Sequence, residues 1–359
     1  MGAIRATKPR TAESVNITQS YTTVSQSVKR DGLLGRTRWF YLGLTTVLLA
    51  ALVGAGFGFV LLGSSWFQLL IAGALGLILT QFAFIAHEAS HRAVLTSGPA
   101  NDRVGRLIGT LVVGMSYAWW MSKHTRHHAN PNQVGKDPDI AFDTISFTEE
   151  DAARQTGVLA WLTRRQGYLF FPLLTLEGVN LHITSMRTLF GHAPVKRRGL
   201  EITLIAVRFA VYLTAVFWFL PVGMGFAFLG VQLVVFGVYM GASFAPNHKG
   251  MPIIARDAKL DFFSKQVRTS RNISGGWWAS ALMGGLNYQV EHHLFPSMPR
   301  PHLARARLIV REHCRANDVP YTETTLAHSY AIVIDYLNRV GLSARDPFDC
   351  PMVEQLRRV

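Results

Sequence analysis

The sequence predicts an all-α integral membrane protein. Four transmembrane helices, paired as two hairpins, are expected to carry a cytoplasmic helical cap with a histidine-rich site for two metal ions. The 359-residue chain is 49% hydrophobic and only 16% charged. Residues 39–86 and 209–247 contain no Asp, Glu, Lys or Arg, and eight of the 13 histidines are grouped beside apolar segments. Soluble domains rarely combine these features.

Residues 1–38 are polar and basic and lack an apolar stretch, so they match neither a cleaved signal peptide nor a membrane span. We expect them to form a flexible cytoplasmic tail. Residues 39–330 are predicted to form the membrane domain with its cap, and residues 331–359 a C-terminal cytoplasmic segment.

Each charge-free segment is long enough to cross the bilayer twice, because a hydrocarbon layer of about 30 Å takes about 20 helical residues. Turns are predicted at residues 63–65 and 221–223, where glycine, serine and proline interrupt the apolar sequence. The predicted spans cover about residues 40–62, 66–86, 202–220 and 223–245. Both hairpins return the chain to one side, where the Lys and Arg residues lie, so both termini and the cap are predicted to be cytoplasmic.

The net charge of +14 comes from 36 basic and 22 acidic residues. Basic residues beside membrane spans meet anionic lipid headgroups, so we predict no nucleic-acid partner. Arg208 lies about two turns into the third predicted span and can extend toward the headgroups. Cys314 and Cys350 are the only cysteines and predict no disulfide framework.

The grouped histidines occur at four places on the predicted cytoplasmic face. Two stand four residues apart at the end of the second span, and three stand at i, i+3 and i+4 in HTRHH. One follows the fourth span, and QVEHH repeats the i, i+3, i+4 spacing with glutamine first. Residues so spaced share one helix face. The eight are His87, His91, His124, His127, His128, His248, His292 and His293.

The other histidines stand alone, and a lone histidine is more often a satisfied polar residue than a ligand. This is our interpretation of His182, His192, His302, His313 and His328. The eight grouped imidazoles exceed the four ligands of zinc and the six of an octahedral metal, so two ions are predicted. Imidazole binds zinc, copper, iron and nickel alike, and the ligand type leaves the metal open.

Four acidic residues lie beside these segments. Glu88, Asp137, Asp139 and Glu291 are predicted to accept hydrogen bonds from ligand imidazoles. A turn around Pro138 is an alternative role for the two aspartates.

Residues 87–91 read His-Glu-Ala-Ser-His, the helix signature of zinc proteases. A protease needs one further ligand and leaves the other imidazoles without a role, and neither charge-free segment contains an acidic ligand. An intramembrane metalloprotease is therefore a remote alternative. A metal transporter would place ionisable residues within its spans, and these segments have none.

The histidine segments and their surroundings, HHANPNQVGKDPDI and GGLNYQVEHHLFPSMPRP, resemble the extended histidine boxes of integral-membrane fatty acid desaturases. They are similar to the linoleoyl-CoA or front-end branch, in which glutamine replaces the first histidine of the third box. The resemblance covers roughly residues 40–330. It implies an enzyme with two iron ions that uses O2 to introduce a cis double bond into a long acyl chain, presented as acyl-CoA or acyl-lipid.

The implied chemistry agrees with the metal argument, because removing hydrogen from a saturated chain needs a redox-active ion, which zinc is not. We predict Gln289, Glu88 and Asn287 as catalytic residues, with the two carboxamides making weak contacts to metal or bound water. The sequence lacks the His-Pro-Gly-Gly signature of a fused cytochrome domain. Electrons are therefore expected from a separate carrier and an NAD(P)H-dependent reductase.

A membrane di-iron hydroxylase acting on acyl chains or lipids remains an alternative, because it uses the same oxidant. Four tryptophans near the second and third boxes have two possible roles. They can line an apolar slot for the acyl chain or form an interfacial aromatic belt. They are Trp119, Trp120, Trp277 and Trp278.

Overall fold

A computed structural model describes residues 17–343 of the chain. The helices of this range are α1 Ile17–Arg30, α2 Arg38–Leu62, α3 Gln68–Ser90, α4 Gly98–Arg106, α5 Tyr117–Ala129, α6 Glu149–Arg154, α7 Gly157–Thr163, α8 Gln166–Leu174, α9 Glu177–Phe190, α10 Arg198–Phe219, α11 Val222–His248, α12 Phe262–Thr269, α13 Gly276–Leu282, α14 Gln289–Leu294, α15 Arg300–Ala316 and α16 Leu326–Ser343. A π-helix covers Leu107–Val113, and short 3-10 helices cover Pro138–Ile140 and Leu286–Tyr288.

Four of these helices, α2, α3, α10 and α11, are long and apolar enough to cross a membrane. They contain 25, 23, 22 and 27 residues. At 1.5 Å per residue, each of them reaches the roughly 30 Å of a hydrocarbon layer. They coincide with the four predicted spans, and the breaks between them fall where the turn residues predicted them.

Two of the four helices continue past their predicted C-terminal ends. Helix α3 continues to Ser90 instead of ending near residue 86, and α11 continues to His248 instead of ending near residue 245. Both extensions are buried, so the two helices continue through the packed interior of the protein. His87 and His248 therefore lie on the last turns of the apolar helices, not beyond them.

Close backbone approach joins these helices to their neighbours. A Cβ atom added to Gly76 of α3 would lie 2.9 Å from the carbonyl oxygen of Gln232 on α11. A Cβ atom added to Gly178 of α9 would lie 2.3 Å from the carbonyl oxygen of Leu233. Small residues let helix backbones approach closely. In a membrane such van der Waals contacts hold helices together, because the hydrophobic effect does not act between them. Phe82 of α3 and Phe236 of α11 belong to one buried apolar core.

The N-terminal prediction needs correction. Residues 17–30 of the predicted flexible tail form helix α1, whose Val24 and Val28 are fully buried against Phe263 and Val310. Their spacing places both valines on one helix face, which packs against α12 and α15. Residues 1–16 lie outside the described residues.

The C-terminal boundary also moves. The predicted boundary between residues 330 and 331 falls inside α16, where Val333 and Leu337 are buried against Phe170 and Leu174. This part of the predicted C-terminal segment belongs to a packed core that α16 shares with α8. Residues 344–359, including Cys350, lie outside the described residues.

A two-stranded parallel sheet is the exception to the predicted all-α class. Strand β1, Arg271–Ser274, pairs with β2, Thr322–Thr325, in the register Arg271 to Thr322. It joins the segment after α12 to the segment after α15, on either side of the third histidine group.

Candidate metal centre

Helix α5, which carries three of the histidines, begins at a charged cap. Ser116 is the N-cap, and its Oγ accepts a hydrogen bond from the amide of Trp119 at 3.1 Å. The Ser116 hydroxyl donates to the Glu201 carboxylate at 2.6 Å, and the Ala118 amide donates to the same carboxylate at 3.2 Å. Arg106 pairs with Glu201 at 3.0 Å. A carboxylate at the N-terminus of a helix accepts hydrogen bonds from its free amides and interacts favourably with the positive end of the helix dipole.

The C-terminal end of helix α11 is held by the buried guanidinium of Arg271. Arg271 donates from Nε to the carbonyl of Pro246 at 2.9 Å and from Nη2 to the carbonyl of Lys249 at 2.9 Å. The hydroxyl of Ser329 also donates to the Pro246 carbonyl, at 2.7 Å. The last carbonyls of a helix lack intrahelical partners, so these contacts fix the turn that carries His248. The roles of Glu201 and Arg271 were not predicted, because each contacts a segment that is distant in sequence.

Five of the predicted ligands converge into one group, the five-histidine cluster. Nε2 of His124 lies 2.9 Å from Nε2 of His87 and 2.7 Å from Nε2 of His91. One nitrogen of each ring lies within 4.8 Å of one nitrogen of every other ring, a separation that can hold a metal ion. The members are His87, His91, His124, His128 and His292.

The other three form the three-histidine cluster, made of His127, His248 and His293. Nε2 of His248 lies 3.3 Å from Nε2 of His127 and 3.1 Å from Nε2 of His293. The structure thus brings all eight predicted ligands into two adjacent groups. Helix α5 contributes to both, because neighbouring His127 and His128 point into different clusters.

The spacing within the clusters fits metal coordination. A metal with bonds of about 2.1 Å to imidazole nitrogen sets neighbouring octahedral ligands roughly 3 Å apart. Several ring nitrogens are also buried without a hydrogen-bond partner within residues 17–343: Nδ1 of His87, both nitrogens of His128 and Nε2 of His292. Buried polar atoms normally have partners, so these nitrogens are suited to bind an ion.

The protonation of these rings supports the same conclusion. Burial, followed by repulsion from His127, lowers the pKa of His91 to about 3. Burial and the neighbouring rings hold the pKa of His292 well below its usual value. For His127 burial also lowers the pKa, but the carboxylates of Asp139 and Asp137 outweigh it and raise the pKa. Most of these rings are therefore neutral, which is the form that binds metals.

Every ring of the three-histidine cluster is held from outside by a hydrogen bond at Nδ1. His127 contacts Asp137 at 3.0 Å, His248 contacts the carbonyl of Thr269 at 2.8 Å, and His293 contacts Oε1 of Gln266 at 2.8 Å. Such contacts fix the tautomer, so that Nε2 faces the site. Thr269 and Gln266 were not predicted, because α12 carries no pattern that points to a metal site.

The two aspartates differ in their contacts. Asp137 also accepts hydrogen bonds from the amide of Asn132 at 2.7 Å and from the amide of Asp139 at 2.9 Å, so it forms the turn and holds His127 as well. Asp139 pairs with Lys123 at 2.9 Å and lies 3.4 Å from Nδ1 of His127. Lys123 and His127 outweigh the effect of burial and lower the pKa of Asp139.

The predictions for Glu88 and Glu291 are wrong in one respect, because their carboxylates contact other groups instead of ligand imidazoles. Glu88 accepts from Tyr41 at 2.8 Å and from both Nε and Nη2 of Arg300. Glu291 accepts from Asn272 at 2.7 Å and from Tyr321 at 2.9 Å. Both oxygens of Glu88 are occupied, which removes the base that the protease alternative needs.

The two predicted amide residues have different surroundings. Gln289 lies in the three-histidine cluster, with Nε2 2.8 Å from Nε2 of His248, and its Oε1 accepts from Asn247 at 3.3 Å. A half-turn of the amide presents its oxygen to the site instead. Asn287 is fully buried, and neither of its amide atoms has a hydrogen-bond partner within residues 17–343.

A cavity of about 440 Å³ opens beside the clusters. His124, His127 and His248 form its inner wall, and Lys123, Asp139, Glu177 and Lys249 contribute charges. The remaining wall is largely apolar and includes Phe170, Leu173, Leu174, Leu181, Met240, Gly241 and Phe244. Of the four tryptophans, only Trp120 lines this cavity; Trp119 is buried in the core, and Trp277 and Trp278 are exposed.

Comparisons with known proteins agree with these features. The fatty acid desaturase family model matches residues 64–325. A Delta(8)-fatty-acid desaturase of Helianthus annuus is 29% identical over 349 residues, covering 92% of this chain and 75% of the relative. A Delta(6)-fatty-acid desaturase of Caenorhabditis elegans is 25% identical, covering 92% and 76%. An acyl-lipid (9-3)-desaturase of Borago officinalis is 26% identical, covering 77% and 65%.

Proposed function

The chain belongs to the fatty acid desaturase family, and from this premise we propose that it desaturates a long acyl chain with O2 at a centre of two iron ions. The product is an acyl chain with a new cis double bond. One observation carries the proposal: two histidine clusters, each able to hold an ion, border a single cavity whose wall is largely apolar. A metal-binding protein without an acyl substrate has no need of such a cavity.

The proposed ligands of one iron are the rings of the five-histidine cluster, and those of the other are the rings of the three-histidine cluster. When bound, iron would activate O2 and so supply the oxidising power toward an unactivated methylene pair that side chains alone lack. Neutral imidazoles with few nearby acids suit iron, copper or zinc, and among these zinc is excluded by the redox requirement.

The residues of this chain are proposed to bind the acyl chain, to orient the histidine rings and to shield the site from water. Phe170, Leu174, Met240 and Phe244 hold the acyl chain in a space from which water is excluded. His127 is oriented by Asp137, so that its Nε2 faces the site.

The carboxamide of Gln289 is proposed to complete the three-histidine cluster. An amide is a weaker ligand than imidazole, so that side of the site stays open to an exchangeable group. Asn287, with both amide atoms buried and free of partners in residues 17–343, is the second amide proposed near the site.

We propose that the four apolar helices cross the membrane as two hairpins, with both termini and the clusters on the cytoplasmic side. This orientation brings the acyl chain of an acyl-CoA or acyl-lipid from the bilayer. It also exposes the cap to a separate electron carrier and its NAD(P)H-dependent reductase. Reporter fusions after Val359 and near Arg38 should be cytoplasmic, and tags at Ser64 and Val222 should be external. An external C-terminus would contradict the hairpins.

The activity is tested by expressing the chain in cells that lack other desaturases and measuring the masses of their acyl chains. We expect acyl chains lighter by two hydrogens, and their absence with His292→Ala. Cells expressing Asp335→Asn, an exposed change on α16, serve as the matched control and should retain the product. Acyl chains heavier by one oxygen would instead identify a hydroxylase, and an unchanged acyl profile would contradict both.

A further inference from the structure

The five-histidine cluster draws ligands from three distant segments: α3 and its C-cap residue His91 supply two, α5 supplies two and α14 supplies one. Three of its rings have a ring nitrogen that is buried and unpartnered within residues 17–343. Within that range, Nδ1 of His87 and both nitrogens of His128 therefore lack the outward hydrogen bond that orients every ring of the three-histidine cluster. Some other contact must fix His292 relative to the two rings of α3.

One buried contact joins these segments directly. Glu88 stands between His87 and His91 on α3, and Arg300 begins α15, just after the third histidine group. Nε of Arg300 donates to Oε1 of Glu88 at 3.2 Å, and Nη2 donates to Oε2. A planar guanidinium that engages both carboxylate oxygens fixes direction as well as distance.

Tyr41 of α2 completes the arrangement. Its hydroxyl donates to Oε1 of Glu88 at 2.8 Å and accepts from the backbone amide of Arg300 at 3.1 Å. All three side chains are buried, with 3% of Tyr41, 7% of Glu88 and 4% of Arg300 exposed. A buried ion pair is weak evidence for stability, because its desolvation offsets most of its attraction. Its attested use is to fix one arrangement over alternatives.

We propose that the Glu88–Arg300 ion pair, held by Tyr41, positions His292 against His87 and His91 so that the five-histidine cluster can bind its ion. The three are positioning residues: they act through the ligands and do not touch the substrate. The inference rests on the proposed function, since it assigns the pair to one of the two proposed iron sites. It predicts a selective defect, in which the three-histidine cluster keeps its ion.

The test measures iron binding by purified protein in lipid nanodiscs, using a competing chelator, together with thermal unfolding of the iron-free protein. Glu88→Gln and Arg300→Met should weaken one of the two bound irons about 10- to 100-fold and leave the other unchanged. Arg300→Lys keeps the charge but loses the two-oxygen contact, so it should show the same selective defect to a smaller degree. His292→Ala should weaken the same iron and serves as the reference.

Two further variants separate positioning from stability. Glu88→Gln/Arg300→Met removes both charges, so it should unfold closer to wild type than Arg300→Met alone, yet still bind that iron weakly. Arg307, on the same helix as Arg300, pairs with Glu323 of β2 at 2.5 Å. Glu323→Gln breaks this pair and should leave the binding of both irons unchanged.

The inference is overturned if Glu88→Gln, Arg300→Lys and the double variant all bind two irons with wild-type affinity. It is also overturned if both irons weaken equally, because that result indicates a general loss of structure. Failure of the proposed function is distinguishable, since wild-type protein would then bind no iron or make no desaturated product.

Discussion

The two histidine clusters lie side by side but are held in different ways. In the three-histidine cluster each Nδ1 has its own partner, namely Asp137, the Thr269 carbonyl or Gln266. In the five-histidine cluster, three rings have a buried nitrogen without a partner in the described part of the chain. Three ligands with individual supports thus stand beside a cluster in which His87 and His128 lack such supports within residues 17–343. A site with three rings depends on the orientation of each, whereas a site with five depends on the placement of the helices that carry them.

The largest effects should come from removing one ligand of each cluster at adjacent positions of α5. His127→Ala leaves two rings in its cluster, so we expect that ion and all desaturation to be lost. His128→Ala leaves four rings, so we expect its ion to remain with weaker binding while turnover is lost. Iron after dialysis should be about one per chain for His127→Ala and about two for His128→Ala. Equal iron contents in the two variants would contradict the expected difference between the clusters.

A smaller effect is expected from the supports. Asp137→Asn weakens the hydrogen bond that fixes His127, so we expect iron at the three-histidine cluster to bind about 10- to 100-fold less tightly. Competition with a chelator measures this affinity, and Asp335→Asn is the control because that side chain is exposed. An unchanged affinity would mean that the contact at 3.0 Å is dispensable.

Gln289→Ala tests the open side of the three-histidine cluster. We expect both irons to be retained and desaturation to fall by about 10-fold or more, as for other groups that support a metal without binding it fully. Iron analysis with an acyl-product assay on the same preparation separates the two effects. If iron loss matches that of His127→Ala, Gln289 is a full ligand; wild-type turnover would place it outside the site.

The cavity should respond without a change in metal. A Cβ atom added to Gly241 would lie 2.4 Å from Cδ2 of Leu174, and both residues line the cavity. Gly241→Ala should therefore push Leu174 inward at an overpacking cost of about 1–3 kcal/mol. We expect the longest acyl products to decrease first, with iron content unchanged, as measured by acyl-chain profiling. An equal decrease in acyl products of every length would argue against a role of Leu174 in holding the acyl chain in the cavity.

The smallest effect is expected from Glu291, although it precedes His292 in the chain. Its carboxyl contacts Asn272 and Tyr321, and burial raises its pKa to about 7, so the side chain is partly neutral near neutral pH. Glutamine keeps the shape, and it can keep both contacts if its oxygen accepts from Asn272 and its NH2 donates to the Tyr321 hydroxyl. Glu291→Gln should bind iron as wild type does in the chelator competition, and a loss similar to that of Asp137→Asn would show that its charge acts on the cluster.

Local patterns were enough to predict the four apolar helices and the histidines that cluster. Two charge-free segments gave the helices, and spacings of three and four residues gave seven of the eight clustered histidines, because both depend on residues close in sequence. The eighth, His248, was predicted from its position just after the fourth span. The division of neighbouring His127 and His128 between two clusters could not be predicted this way. It depends on how α5 lies between α3, α11 and α14.

The supports were missed for the same reason. Gln266, Arg271 and Arg300 act on histidines or helix ends far away in sequence, and a single polar residue carries no sign of its partner. Glu88 shows the opposite error, since proximity to His87 in sequence suggested a contact that Arg300 takes instead. Helix α1 was overlooked because two valines, Val24 and Val28, form too weak a pattern in a polar segment.

We propose that the eight histidines form two distinct iron sites. Mössbauer spectroscopy of purified protein, loaded without oxygen with isotopically enriched iron, tests this proposal when it is combined with an iron count per chain. We expect two irons per chain and two ferrous signals of equal area, of which His127→Ala removes one. A single iron, a bound zinc in fully active protein, or loss of both signals in that variant would contradict it.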